Sequence, residues 1–361
     1  MILMTKYNKY WFSYFLIKLF YMFFAIFLYA EVTVLGDNSR WMSGDIRFPK
    51  LMDIITNSSI MMDFVGGISS SILGTVFGNL PFMILSYYGI YYSVSRLKLN
   101  NNQLMLLLFL LSFPSFGVWS SVAGKEAVGV FFMGIILGYI IDLINKKRYK
   151  INFIELIAIY LLFVFKFQYS VAIFSLLFYI IISDKFKLEG FGKLFLFIFH
   201  IISGVIGLWI FKDTLNELSF IIPNHFSLDA GSTRENTIWL ENYDVFFNAP
   251  YGMFIGFFGP TFNEILLKPI QGIVFIESCI ILLFFMYLFF YYLIYVIKTN
   301  KVNIYLMSLF CISLFWLLFA HYPFGVLNAG SAIRYRENFY GFLVVFMYFL
   351  YLRIKTSYCE K

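Results

Sequence analysis

Charge is what this chain has least of: Asp, Glu, Lys and Arg together make up 13% of its 361 residues, against about 25% in an ordinary soluble domain. So small a charged fraction excludes a water-facing globule of this length. The chain has only three cysteines. Cys279 and Cys311 fall in apolar runs and Cys359 in a basic tail, so neither a disulfide framework nor a cysteine zinc site is expected. The motifs that announce a metal or nucleotide are missing too. There is no His-Glu-x-x-His, no serine nucleophile elbow, no phosphate-loop glycine pattern and no Asp-x-Asp pair, and no cofactor is expected. The net charge of +7 is spread over short connectors instead of one contiguous face, which argues against a nucleic-acid partner. No internal repeat or low-complexity linker divides the sequence, so residues 1–361 read as a single transmembrane domain.

What the chain does have is apolar surface, with 61% hydrophobic and 22% aromatic residues and a mean hydropathy of +0.81. Its solvent is mainly lipid. Runs able to cross a hydrocarbon core of roughly 30 Å occur at 11–30, 71–92, 127–143, 194–211, 273–297, 304–320 and 339–352, with a shorter one at 103–116 ending in Phe113-Pro114-Ser115. Leu28-Tyr29-Ala30 is a poor cleavage site, so the first run is expected to stay as a span. The apolar stretch 153–182 is too long for one comfortable span and is interrupted by Lys166-Phe167-Gln168. Reading it as two helices gives about ten spans. The basic connectors 96–98, 146–150, 185–193 and 298–301, and both termini, then share the cytoplasmic side, as the cation bias of membrane proteins requires. The expected fold is an all-α, polytopic integral membrane protein with large outer loops at 31–63, 212–271 and 321–338.

On that topology Arg334 and Arg336, in Gly330-Ser-Ala-Ile-Arg-Tyr-Arg-Glu337, sit on the face where cations are not expected. Guanidinium groups offer a planar fork of donors to phosphate or carboxylate oxygens, so the pair suggests an anionic ligand; the structural alternative is snorkelling or pairing with Glu337. Lys125-Glu126 follows a polar turn at the mouth of any outer cavity, where the lysine could meet a phosphate or simply be solvated. Arg234 and the first-loop residues Asp37, Arg40, Asp45 and Arg47 are further candidates that read individually as loop charges. Of the three histidines, His200, His225 and His321, the last is best placed for a base, with packing or capping as the plainer role. Gly74/Gly78 and Gly134/Gly138 have the small-xxx-small spacing of close helix packing. Trp41, Trp119, Trp239, Tyr243 and Tyr251 suit sugar stacking or interfacial anchoring.

Three local patterns, Phe113-Pro-Ser…Trp119-Ser-Ser…Lys125-Glu126, Phe257-Phe-Gly-Pro260 and Gly330-Ser-Ala-Ile-Arg-Tyr-Arg336, together with the span layout and the large outer loop, make the chain resemble the O-antigen polymerase (Wzy) family. It resembles more loosely the polytopic lipid-linked-sugar glycosyltransferases of the glycosyltransferase-C type. The resemblance implies a multi-pass protein of the bacterial inner membrane. It implies transfer of a growing chain from undecaprenyl pyrophosphate to a new lipid-linked repeat unit at the periplasmic face, with a chain-length regulator as a further partner. It also implies pyrophosphate binding by Arg334 and Arg336, with Arg234 and Lys125 as secondary positions, while Asp45, Glu126 and His321 compete for the role of catalytic base. A flippase or other transporter should show mid-membrane charges, broken helices and pseudo-symmetry, whereas the charges here read mainly as loop charges. A membrane sugar O-acetyltransferase should carry His and Arg near its first spans, and the run 11–30 has neither.

Overall fold

The computed structural model describes residues 8–44, 49–225 and 233–359. Among these the secondary structure is helical, with one isolated β-bridge between Thr233 and Asn328. We label the principal helices α1 Asn8–Phe24, α2 Ser58–Phe77, α3 Leu80–Val94, α4 Asn101–Leu110, α5 Pro114–Trp119, α6 Lys125–Ile144, α7 Phe153–Lys185, α8 Gly190–Ile210, α9 Lys212–Ile221, α10 Ala249–Phe258, α11 Phe262–Leu267, α12 Gln271–Thr299, α13 Ile304–Val326 and α14 Ala329–Cys359. Among the described residues eight helices are long and apolar enough to cross a bilayer: α1 with its extension to Val32, α2, α6, α7, α8, α12, α13 and α14. The molecule is thus a polytopic membrane protein by architecture.

The run 71–92 is not one helix. α2 begins at Ser58 and α3 is a separate helix of 15 residues, short of the roughly 20 that a crossing helix needs. The break follows from local chemistry. Gly74 takes φ 78°, a conformation that only glycine adopts readily, and Pro81 in the first turn of α3 lacks an N–H, which suits a helix start. Asn79 holds the junction, its amide donating to the Thr75 and Val76 carbonyls while its Oδ1 accepts from Asn38 and from the Ala123 N–H. In α7 the interruption falls at Lys166, as expected, but as one residue of non-helical backbone (φ −148°, ψ 57°) within a 33-residue element and without an intervening loop. Residues 321–338 are largely helical too, since α13 runs to Val326 and α14 starts at Ala329.

The chain forms two compact units, one running to Phe167 and including Glu337–Phe346, the other made of Gln168–Arg336 and the residues from Met347 onward. In the first, α6 is the central helix, buried from Glu126 to Ile144. Glycine permits its closest approach: a Cβ at Gly89 would lie 2.6 Å from the Phe131 Cα, and one at Gly134 would overlap the Gly89 carbonyl. At the far end of α6 an ion cluster closes the unit. Asp142 accepts from Arg96 Nε at 2.9 Å and Arg148 Nε at 3.1 Å, and Glu155 accepts from Arg148, from Tyr92 Oη at 2.7 Å and from the Asn152 N–H. Connectors 96–98 and 146–150 therefore meet, each through an arginine bonded to Asp142. Bonding to Glu155 and Asp142 raises Arg148 above its ordinary pKa, against the opposing effect of burial.

In the second unit the loop helix α10 packs along α13 through small residues. A Cβ on Gly325 would come within 2.8 Å of the Gly256 Cα. Trp239, Val245, Ile255 and Tyr322 form its buried apolar cluster, pinned by Trp239 Nε1 donating to Tyr322 Oη at 2.7 Å and Tyr322 Oη donating to the Val245 carbonyl at 2.6 Å. The contact between α3 and α6 gives a direct test. Gly134→Val should destabilise the protein by roughly 1–3 kcal/mol through overpacking, read as a lower thermal midpoint in detergent, whereas Gly207→Val, where a Cβ meets nothing within 4 Å, should leave it unchanged.

Candidate functional site

Backbone carbonyls at the last turn of a helix have no partner within that helix, and in the second unit the ends of α10 and α13 recruit charged side chains for them. At the end of α10, His321 Nε2 lies 3.0 Å from the Gly256 carbonyl, and Arg336 Nη1 donates to the Phe257 carbonyl at 3.0 Å and to Ser278 Oγ at 2.9 Å. Ser278 Oγ in turn donates to the Gly259 carbonyl at 3.0 Å. Glu277 stands 3.9 Å from Arg336 Nη2, and the guanidinium faces the Phe257 ring. Arg336 and His321 are 3% and 0% exposed. Because Nε2 of His321 donates, that nitrogen carries the proton.

Arg234 performs the same service for α13. Its Nη1 donates to the Gly325 and Val326 carbonyls at 2.6 and 3.2 Å, while Nε and Nη2 grip both oxygens of Glu264 at 2.5 and 3.0 Å. A cation at a helix C-terminus also suits the helix dipole. Glu264 is locked in place by a capping box with Thr261 at the start of α11. Burial works to raise the Glu264 pKa, but the bonds from Arg234 and Thr261 outweigh it and hold the carboxyl below its ordinary value.

Arg334 and Arg336 do not form one clamp. They lie two residues apart on a helix, and such residues face different ways. Arg336 turns into the α10 contact, whereas Arg334 is half-buried with its guanidinium 5.5 Å from the Tyr335 ring. The remaining expected residues belong to the first unit. Lys125 opens α6 and donates to Ser58 Oγ at 3.1 Å and Ser59 Oγ at 2.8 Å, in the first turn of α2. Glu126 is buried, its Oε2 2.9 Å from where a Cβ on Gly124 would be. Arg40 pairs with Asp63 at 2.9 Å and Asp37 at 3.7 Å. Asp45 and Arg47 lie outside the described residues, as does the side chain of His225. Trp41, Trp119 and Trp239 are buried, so they serve packing and are not placed for sugar stacking. Tyr251 is exposed.

Two buried lysines were not among the candidate site residues of the sequence, although Lys166 was read as a helix interruption. Lys18, in α1, is 1% exposed and donates to the Ser120 carbonyl at 3.0 Å and Ser120 Oγ at 2.7 Å, at the end of α5. Lys166 is buried at the break in α7. The available signal was a lone lysine inside each apolar run, which in a membrane helix marks a paired or functional position. Comparison with protein-family models, with curated proteins and with solved structures gives no match.

The depressed pKa of Glu264 sets a pH dependence. Its stabilising contribution is complete above the unfolded value of 4.5 and is lost as pH falls through the lower folded value. Amide exchange in residues 233–267, corrected for intrinsic rates, should stay slow from about pH 7 to about pH 5 and accelerate below that. Glu264→Gln should show fast exchange already at neutral pH, a loss of roughly 2–3 kcal/mol for one charge-assisted contact.

Proposed function

We propose that this protein is a membrane glycosyltransferase that polymerises lipid-linked oligosaccharide repeat units into a surface polysaccharide, acting at the periplasmic face of a bacterial inner membrane. One observation carries the reading. Two of the three patterns behind the resemblance, Phe257-Phe-Gly-Pro260 and Gly330-Ser-Ala-Ile-Arg-Tyr-Arg336, are far apart in sequence yet are joined through Arg336, the Phe257 carbonyl, Ser278 and the Gly259 carbonyl.

In this reaction the bond between the chain's anomeric carbon and undecaprenyl pyrophosphate breaks. A hydroxyl of the incoming repeat unit forms the new glycosidic bond, and its proton passes to a base. The leaving pyrophosphate gains charge, and fixed cations lower that barrier. Arg336 and Arg234 hold helix ends, so they position the segment 256–264, and Arg334 is the residue of the arginine pair proposed to contact phosphate. Among the bases, His321 donates through Nε2 to the Gly256 carbonyl and keeps the Nδ1 lone pair that a base needs, with Glu126 and Asp45 as the carboxylate alternatives.

A second reading, a flippase or transporter of the same lipid-linked oligosaccharide, is favoured by Lys166, buried at a helix break where such proteins place functional charges. Purified protein in liposomes supplied with lipid-linked repeat units separates the two. A ladder of lengthened chains supports the polymerase, and unlengthened substrate moved across the bilayer supports the transporter. Under the polymerase reading, Arg334→Ala should slow lengthening on the order of 10²-fold with normal insertion and thermal midpoint. Undiminished chain growth in that variant would remove Arg334 from the reaction.

A further inference from the structure

The ends of α8, α12 and α13 border an open recess of about 250 Å³ whose lining includes two lysines, Lys193 and Lys301. Its aromatic side is fixed. Tyr179 and Tyr305 stack at 6.0 Å, Lys193 Nζ sits 5.0 Å over the Tyr305 ring, and Tyr179 Oη donates to the Lys193 carbonyl at 3.3 Å. Lys193 is therefore held in place by its surroundings, unlike a free surface lysine. No carboxylate lines the cavity among the described residues, although Asp184 and Glu189 occur in the same connector. The start of α13 does not supply the attraction, because Asn303 already caps it by accepting from the Leu306 N–H.

One turn further along α12 and α13, with α14 as a third wall, an apolar groove of about 220 Å³ is lined by residues that include Leu288, Phe289, Leu293, Met307 and Phe310. Tyr292 lines this groove and Tyr295 the cavity, three residues apart on α12; on α13, Leu306 and Tyr305 are divided in the same way. A doubly cationic recess at helix ends above a hydrocarbon-lined groove is complementary to a molecule with an anionic head and an acyl tail. Basic recesses between membrane helices bind anionic lipid head groups.

We propose that Lys193, Lys301 and the groove between α12 and α13 form a binding site for an anionic glycerophospholipid of the surrounding bilayer. The phosphate lies between the two ammonium groups, and one acyl chain follows Leu293 and Phe310. The site stands on geometry separate from the proposed polymerase residues and does not depend on that function.

Delipidated full-length protein in neutral detergent, titrated with dioleoylphosphatidylglycerol and with dioleoylphosphatidylcholine and read by native mass spectrometry, tests it. The phosphatidylglycerol adduct should be preferred. Each lysine removed should weaken it about fivefold, so Lys193→Gln with Lys301→Gln weakens it roughly 30-fold, while Lys301→Arg retains it. Leu293→Trp, at a partly exposed position, should block the groove and weaken the adduct with both lysines intact. Equal retention of the two lipids, or a phosphatidylglycerol preference unchanged in the double variant, would overturn the proposal. So would displacement of the lipid by inorganic phosphate at the lipid's own concentration, which would make the recess a free-phosphate site.

Discussion

A carbonyl released from its helix inside a membrane protein has no water to turn to, and this constraint decides where the cations of this molecule go. Among the described residues four helical elements stop or bend within the packed interior, and a polar side chain attends each stop. Lys18 serves the end of α5, Asn79 the junction of α2 and α3, Arg336 and His321 the end of α10, and Arg234 the end of α13. Each arrangement answers two needs together, because a buried cation also needs acceptors. Lys18 finds a carbonyl and a hydroxyl, and Arg234 finds two carbonyls and a carboxylate.

The same logic separates positioning from contact. A guanidinium enclosed among carbonyls has little capacity left for a ligand, yet it fixes the loop helix on which a ligand would rest. Arg336 ties the end of α10 to α12, and Arg234 ties the 233–264 segment to the end of α13. Polar backbone therefore approaches the long helices without remaining unsatisfied. Glycine supplies the proximity these bonds need, at Gly256 and Gly325 in the second unit and at Gly89 and Gly134 in the first.

The long apolar helices were legible in the sequence because length and hydropathy are local properties. Run 127–143 became the fully enclosed α6, and 273–297 and 304–320 became α12 and α13. The junction at 78–79 was not legible. Hydropathy is continuous across 71–92 and masks the local marks of the break, Gly74, Asn79 and Pro81, while the bonds that Asn79 accepts come from Asn38 and Ala123, which are remote in sequence. Arg234, Arg336 and Lys125 were recognised as unusual, but their partners were hidden for the same reason, since Glu264, Ser278 and Ser58 become neighbours only through the fold. Reading 321–338 as a loop gave too much weight to its polar residues. As helix, that segment sends Arg334 and Arg336 in different directions, so two adjacent cations are not one clamp. Cation bias put the basic connectors on a common side and no more, and their contacts were not legible: 96–98 joins 146–150 at Asp142, and 185–193 joins 298–301 around Lys193 and Lys301.

The account stands on Arg336 joining the end of α10 to α12 through shared acceptors. A double-mutant cycle combining Arg336→Lys with Ser278→Ala, read as unfolding free energy in detergent, addresses that link without requiring any ligand. Residues in one hydrogen-bond network should couple by about 0.5–3 kcal/mol, and the account predicts a value in that range. Additivity within roughly 0.3–0.5 kcal/mol would contradict it.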